Sequence, residues 1–82
     1  MSVEFRVANA GCISCGEIVR KALSELGDVH LIGIDEDADV ASVSIESARH
    51  FTLEEVDRVL ALASDGSGHR YRVESRSWSV SR

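Results

Sequence analysis

The order in which apolar patterns follow one another along the chain limits the possible folds more than any other feature. Four segments alternate apolar and polar residues, as half-buried strands do, and two segments repeat apolar residues at helical spacing. Strands are predicted at about residues 3–8, 29–35, 40–46 and 69–75, and helices at about 15–26 and from 52 to the Asp-Gly-Ser-Gly at 65–68. This order predicts an α+β, ferredoxin-like fold, in which two helices cover one face of a four-stranded antiparallel sheet.

Both predicted helices begin with the same local pattern, a capping box with a hydrophobic staple across it. The pairs are Ser14 with Glu17 and Ile13 with Ile18 at the first helix, and Thr52 with Glu55 and Phe51 with Val56 at the second. Gly27 follows the first helix and is expected to end it as a C′ residue. In the second strand, His30, Ile32 and Ile34 are predicted to share one face.

The composition describes one small domain and excludes several classes of function. The chain has 82 residues, and we expect a domain at residues 1–75 followed by a tail at 76–82 that carries Trp78. A formal net charge of −5 argues against binding to nucleic acid through its phosphates. No apolar run has the roughly 20 residues of a membrane span, and the first residues lack a signal pattern. We therefore expect a cytoplasmic protein without a membrane partner.

The two cysteines, Cys12 and Cys15, lie three positions apart at the predicted start of the first helix. Side chains at this spacing are about 5–6 Å apart, so both sulfurs can reach one metal ion through bonds of about 2.3 Å. The exposed N–H groups of a helix start favour the thiolate form of Cys15. Soft thiolates select Cu(I), Zn(II) and similar ions, and a site with two protein sulfurs is open enough to release its ion. In a reducing cytosol we expect both thiols to be free.

The same cysteine pair also fits other chemistries. Two thiols at this position suit a thiol–disulfide redox protein. Against this, thioredoxin-like proteins resemble one another in a cis-proline that faces the active-site disulfide, and this chain has no proline. A structural zinc finger needs four ligands, and the three histidines lack the required spacing. A ferredoxin-like interaction domain with incidental cysteines is a further alternative. No set of hydrolytic residues can be placed, so we do not expect an enzyme.

The chain resembles a heavy-metal-associated domain, the module of copper chaperones and of the N-terminal metal-binding repeats of metal-transporting P-type ATPases. The resemblance covers about residues 3–73. It is carried by the Cys-Ile-Ser-Cys at 12–15, the Gly-Asp-Val at 27–29 with Ile32 and Ile34, and the Thr-Leu-Glu-Glu at 52–55. It implies one Cu(I) ion, or less often zinc, cadmium or mercury, bound by Cys12 and Cys15. It also implies transfer of that ion by thiolate exchange to a P-type ATPase or another CxxC domain. We expect a monomer, or a dimer bridged by the metal.

The approach to the cysteines departs from this family. The family loop typically reads Gly-Met-Thr-Cys or Gly-Met-Asp-Cys, whereas this chain has Asn9, Ala10 and Gly11 before Cys12. The aspartate associated with zinc and cadmium members is absent, which favours Cu(I). The small side chain of Ala10 and the backbone freedom of Gly11 predict a more mobile loop.

One histidine is a candidate third ligand. His69 precedes the last predicted strand, where some members of the family carry a histidine near the metal. Neutral imidazole there could complete the ion's coordination or make its release depend on pH. His30 and His50 are interpreted as structural residues.

Overall fold

The computed structural model describes residues 1–64 and 70–81. Its strands are β1 (Ser2–Ala8), β2 (Asp28–Asp35), β3 (Val40–Glu46), β4 (Arg72–Val73) and β5 (Ser79–Ser81), and its helices are α1 (Ile13–Leu23) and α2 (Leu53–Ser64). The described strands pair antiparallel in the order β2-β3-β1-β4, and β5 also pairs with β1. The predicted ferredoxin-like α+β fold is confirmed.

Alternation along the central strands builds one side of the hydrophobic core. Val3, Phe5 and Val7 of β1 are buried, and Glu4 and Arg6 between them are exposed. The three inward residues of β3 and the buried faces of both helices join the same cluster, so both helices pack on one face of the sheet. These further core residues are Ala41, Val43, Ile45, Val19, Leu23, Val56 and Leu60.

The fourth position of the sheet is occupied by two short strands in succession. β4 pairs with the C-terminal part of β1, and β5 pairs with its N-terminal part. A 3-10 helix at Ser75–Ser77 separates the two strands. Across this break, the Ser77 Oγ accepts a hydrogen bond from the Arg6 N–H at 2.8 Å, and the Glu74 N–H donates to the Arg6 carbonyl at 2.9 Å. The central strand therefore keeps its hydrogen bonds where its neighbour is interrupted.

In the segment 76–82, predicted as a tail, Trp78 packs against the core and residues 79–81 form β5 of the sheet. Trp78 stacks on Phe5 with 5.3 Å between ring centroids and meets Phe51 edge-on at 6.0 Å. Because aromatic side chains bury large areas in such geometries, Trp78 fastens the end of the chain beside the start of α2. His69, where the fourth strand was predicted to begin, lies outside the described residues.

A bulge in β2 overturns the predicted facing of that strand. The register runs from Leu31 opposite Val43 directly to Gly33 opposite Ser42, so Ile32 has no partner of its own. The extra residue shifts the alternation by one position. The side chains packed against the core are therefore those of Val29, Leu31 and Ile34, whereas His30 and Ile32 are exposed.

The first helix differs from its prediction at both ends. It begins at Ile13 rather than Cys15, and it ends at Leu23 with Ser24 as the C-cap. Gly27 was expected to end the helix as its C′ residue, and this was wrong, because the C-cap is Ser24. The reason for a glycine here is a close approach, because a Cβ at Gly27 would collide with the carbonyl oxygen of Glu46. In the part of the chain that the structure describes, neither helix has the length and apolar character needed to cross a bilayer.

Candidate metal centre

Cys12 and Cys15 lie on the first turn of α1, directly after the loop that leaves β1. Cys12 is the N-cap residue, with extended backbone (φ −119°, ψ 159°), and its Sγ accepts a hydrogen bond from the Cys15 N–H at 3.1 Å. The Gly16 N–H donates to the Cys12 carbonyl at 2.9 Å and closes the first helical turn. The Cα atoms of the two cysteines are 5.0 Å apart. The turn therefore holds the two cysteines close together at the start of α1.

The structure contains this pair as a disulfide between Cys12 and Cys15, whereas free thiols were expected. Their Cα separation falls within the range of about 4.4–6.8 Å that disulfides require. The same short separation suits two thiolates bound to one ion at about 2.3 Å each. The local backbone is thus compatible with both the redox and the metal chemistry predicted for the pair.

The two sulfurs differ in exposure and in their relation to the helix. Cys15 is 1% exposed, and Cys12 is only partly buried. The helix start was expected to favour a thiolate at Cys15, but Cys12 is the residue at the N-cap. The N–H groups of the first turn have no carbonyl partner within the helix and attract negative charge. They therefore favour a thiolate at Cys12, whose sulfur already accepts the Cys15 N–H.

The capping box predicted for α1 is absent. Ser14 lies inside the first turn and is exposed, since Cys12 occupies the N-cap position. Ile13 is 73% exposed, so it forms no hydrophobic staple with Ile18. A cysteine sulfur replaces the serine oxygen as the acceptor at the start of this helix.

The loop before Cys12 is bound to the turn between β2 and β3. The Ala10 N–H donates to the Asp39 carbonyl at 3.2 Å, and the Gly11 N–H donates to Asp39 Oδ1 at 2.8 Å. Ala10 is fully buried, and a Cβ at Gly11 would collide with the Asp39 backbone. A mobile loop was expected here, but the structure ties both residues to the neighbouring turn.

Asp39 is the residue at this site that the sequence analysis missed. It lies between two predicted strands, and an aspartate in a hairpin turn is too common to point to a functional loop. Asp39 has a positive φ of 57°, which Asp and Asn adopt more readily than most residues. The preference of Asp for this conformation is a signal that the sequence does carry, but it does not reveal a partner at Gly11.

Asn9 and Tyr71 connect the loop to the residues that precede β4. Asn9, at φ 66°, donates from Nδ2 to the Arg70 carbonyl at 2.7 Å. Tyr71 is almost fully buried, and its pKa is raised from the ordinary value by burial and by the negative charge of Asp39. The phenol therefore stays neutral at physiological pH. Residues 70 and 71 thus lie close to the cysteine loop.

The histidines do not join the cysteines in the described part of the chain. His69 falls in the segment 65–69, outside the described residues, so its role as a third ligand stays a prediction. His30 is exposed on β2, and His50 Nδ1 lies 3.0 Å from Met1 Sδ, at the N-terminal side of β1. Among residues 1–64 and 70–81, no group of three or more His, Cys, Asp or Glu side chains could hold a metal ion. The described site therefore offers two sulfur ligands.

Comparison with known proteins identifies the fold. No protein-family model matches the sequence, and no curated protein matches it. Among solved structures, the chain is similar to the crystal structure of oxidised MerP from Ralstonia metallidurans CH34, with a TM-score of 0.56 and 17% sequence identity. The alignment covers 92% of this chain and 100% of the MerP chain. At this identity the likeness shows a common ferredoxin-like fold.

Proposed function

We propose that this protein binds one soft heavy-metal ion between the thiolates of Cys12 and Cys15 and hands it to a partner. Cu(I) is the first expected ion, with Zn(II), Cd(II) and Hg(II) as alternatives. The observation that carries the proposal is the first turn of α1, where the Cys12 sulfur accepts the Cys15 N–H and the two Cα atoms are 5.0 Å apart. The resemblance to heavy-metal-associated domains and the fold common with MerP support the same assignment.

Metal uptake requires the reduced form of the pair. A dithiol reductant would supply two electrons and two protons to the Cys12–Cys15 disulfide and would itself become a disulfide. Each cysteine then loses its proton as its sulfur binds the ion. A reducing compartment keeps the site ready for this reaction, so we propose a cytoplasmic location.

The unequal exposure of the two sulfurs determines the side from which a partner thiolate approaches the ion. A partner thiolate approaches from the side of the partly exposed Cys12 and adds to the ion, which becomes three-coordinate. One cysteine of this chain then leaves the ion and takes up a proton. A second partner thiolate then displaces the other cysteine, which also takes up a proton. The proposed partner is a metal-transporting P-type ATPase or another CxxC domain, and the proposed role is carriage rather than catalysis.

Titration of the reduced protein with Cu(I) against a competing chelator tests this function. We expect tight binding of one ion per chain, and we expect Cys12→Ser and Cys15→Ser each to abolish it. Ser14→Ala is the matched control, because Ser14 lies exposed between the two cysteines and should leave the affinity unchanged. An unchanged affinity in either cysteine variant would contradict the proposal.

The same preparation addresses the identity of the ion and the role of His69. Parallel titrations with Zn(II), Cd(II) and Hg(II) rank the metals. X-ray absorption of the copper form counts the sulfur and nitrogen neighbours of the ion. A nitrogen neighbour that disappears in His69→Ala would make His69 a ligand, and a shell of sulfur alone would remove it from the site.

A second candidate function is thiol–disulfide exchange, which the observed disulfide favours. Here Cys12, the more exposed sulfur, would attack a substrate disulfide, and Cys15 would resolve the mixed disulfide. Reduction of insulin by the reduced protein is the measurement. Turnover that disappears in Cys12→Ser, without tight Cu(I) binding by the unmodified protein, would favour this function over metal carriage.

A further inference from the structure

The turn between β2 and β3 reaches the cysteine loop from far along the sequence. Asp39 and Gly11 are 28 positions apart, yet the Asp39 carboxylate accepts the Gly11 N–H at 2.8 Å. The backbone carbonyl of the same residue accepts the Ala10 N–H at 3.2 Å. Two successive amides of the loop are therefore bound by one residue, immediately before the first cysteine.

The contact is built from both sides. Asp39 adopts left-handed backbone at φ 57°, and the turn is braced by a hydrogen bond from the Ala38 N–H to Asp35 Oδ1 at 3.1 Å. On the loop side, Gly11 leaves room for the turn, because a Cβ there would collide with the Cα of Asp39 and would lie 2.8 Å from the Asp35 carbonyl oxygen. The turn could not lie this close to the loop if residue 11 had a side chain.

We propose that Asp39 is a positioning residue for the cysteine pair. By holding residues 10 and 11, its carboxylate keeps Cys12 at the N-cap of α1, where the Cys12 sulfur lies against the Cys15 N–H. This favours the closed states of the pair, the disulfide and the metal chelate, over the open dithiol. The metal part of the inference rests on the proposed function, and the disulfide part does not.

The physical reason is that joining the two sulfurs restricts the conformations of the loop. When Cys12 and Cys15 are joined by a bond or by an ion, the loop is constrained whether or not Asp39 holds it. In the open dithiol that constraint is missing, and the hydrogen bonds to Asp39, the anchor of the loop, contribute more of its restraint. Loss of the anchor therefore adds conformational freedom mainly to the open state, and both kinds of closure become less favourable.

Three variants separate the hydrogen bond from the charge and from the backbone conformation. Asp39→Asn keeps a side-chain acceptor and tolerates the positive φ, but it removes the negative charge. Asp39→Gly also fits the positive φ, but it removes the acceptor. Asp37→Gly is the matched control, because it makes the same exchange at an exposed position of the same turn.

The first measurement is the equilibrium between the protein dithiol with oxidised glutathione and the protein disulfide with two reduced glutathiones. Mass spectrometry after alkylation gives the oxidised fraction. We expect Asp39→Gly to lower this equilibrium constant by about three- to tenfold, the effect of one hydrogen bond of ordinary net strength. Asp39→Asn and Asp37→Gly should stay within about twofold of the unmodified protein, because neither loses that hydrogen bond.

Cu(I) affinity is the second measurement, and it should change in the same direction and order. The inference is overturned if Asp39→Gly leaves the disulfide equilibrium unchanged. It is also overturned if Asp39→Asn lowers the equilibrium constant as much as Asp39→Gly does, because the effect would then belong to the charge. Failure of the unmodified protein to bind Cu(I) would refute the proposed function alone, since the disulfide equilibrium still decides the role of Asp39.

Discussion

The starts of the two helices carry the same sequence pattern and yet differ in structure. At α2 the N-cap half of the predicted pattern is present: the Thr52 Oγ1 accepts the Glu55 N–H at 3.2 Å, and Phe51 and Val56 are both buried. At α1 the equivalent residue, Ser14, is the second residue of the helix, and the sulfur of Cys12 is the cap. One helix start is an ordinary structural cap, and the other is also the candidate metal site.

The difference lies in what precedes each helix. Phe51 is packed into the core beside Trp78, so apolar contacts set the direction in which the chain enters α2. The chain enters α1 through Ala10 and Gly11, whose amides are held by Asp39. Hydrogen bonds from a distant turn thus hold the segment that enters α1, whereas apolar contacts hold the segment that enters α2.

Cys12→Ser should have the largest effect and should separate the two roles of Cys12. Metal binding is expected to disappear, because one of the two ligands is lost. The free energy of unfolding of the reduced protein should change by less than about 0.5 kcal/mol, because serine is a good N-cap residue. Urea denaturation under reducing conditions, with Thr52→Ser as the control at α2, measures this. A much larger loss of stability would mean that the sulfur itself is required for the fold.

Gly11→Ala comes next, because it breaks the approach that distinguishes α1 from α2. The added Cβ would displace the backbone of Asp39, and overpacking of this kind costs about 1–3 kcal/mol. Affinity for Cu(I) should fall together with the stability.

Gly16→Ala is the comparison for that variant. There the Cβ would meet the flexible ends of Ile34 at 2.8 Å and Leu31 at 3.0 Å, which can move aside. Alanine also suits a helix better than glycine, by about 1 kcal/mol, so we expect a smaller loss or none. Equal effects of the two substitutions in denaturation experiments would argue against a special constraint at Gly11.

The smallest effect distinguishes the two capping patterns directly. Thr52→Ala should cost about 1 kcal/mol, because a side-chain acceptor at the N-cap is lost. Ser14→Ala should be neutral or slightly stabilising, because Ser14 is a helical residue and alanine has the better helix propensity. Urea denaturation of both variants measures the difference. A Ser14→Ala variant as unstable as Thr52→Ala would restore the predicted capping box at α1.

Much of the fold could be predicted because its signals are local. Alternation along β1 and β3 and helical spacing along α2 depend on neighbouring residues, and they gave the correct order of elements. The β2 bulge at Ile32 could not be predicted, since nothing in the local pattern distinguishes a bulged residue from a paired one. Likewise, the division of the fourth position into β4 and β5 accompanies the stacking of Trp78 on Phe5 of β1, a contact between residues distant in the sequence.

The sequence by itself determined the order of strands and helices as far as β4, the core that they share and the placement of Cys12 and Cys15 on one turn, because each follows from residues a few positions apart. Only the tertiary structure decided which residue caps α1, which sulfur is buried and what holds the loop. The loop is held by Asp39, which the β2–β3 hairpin brings to Gly11 across 28 positions. A contact of that span is set by the packing of the whole sheet, and no local pattern encodes it.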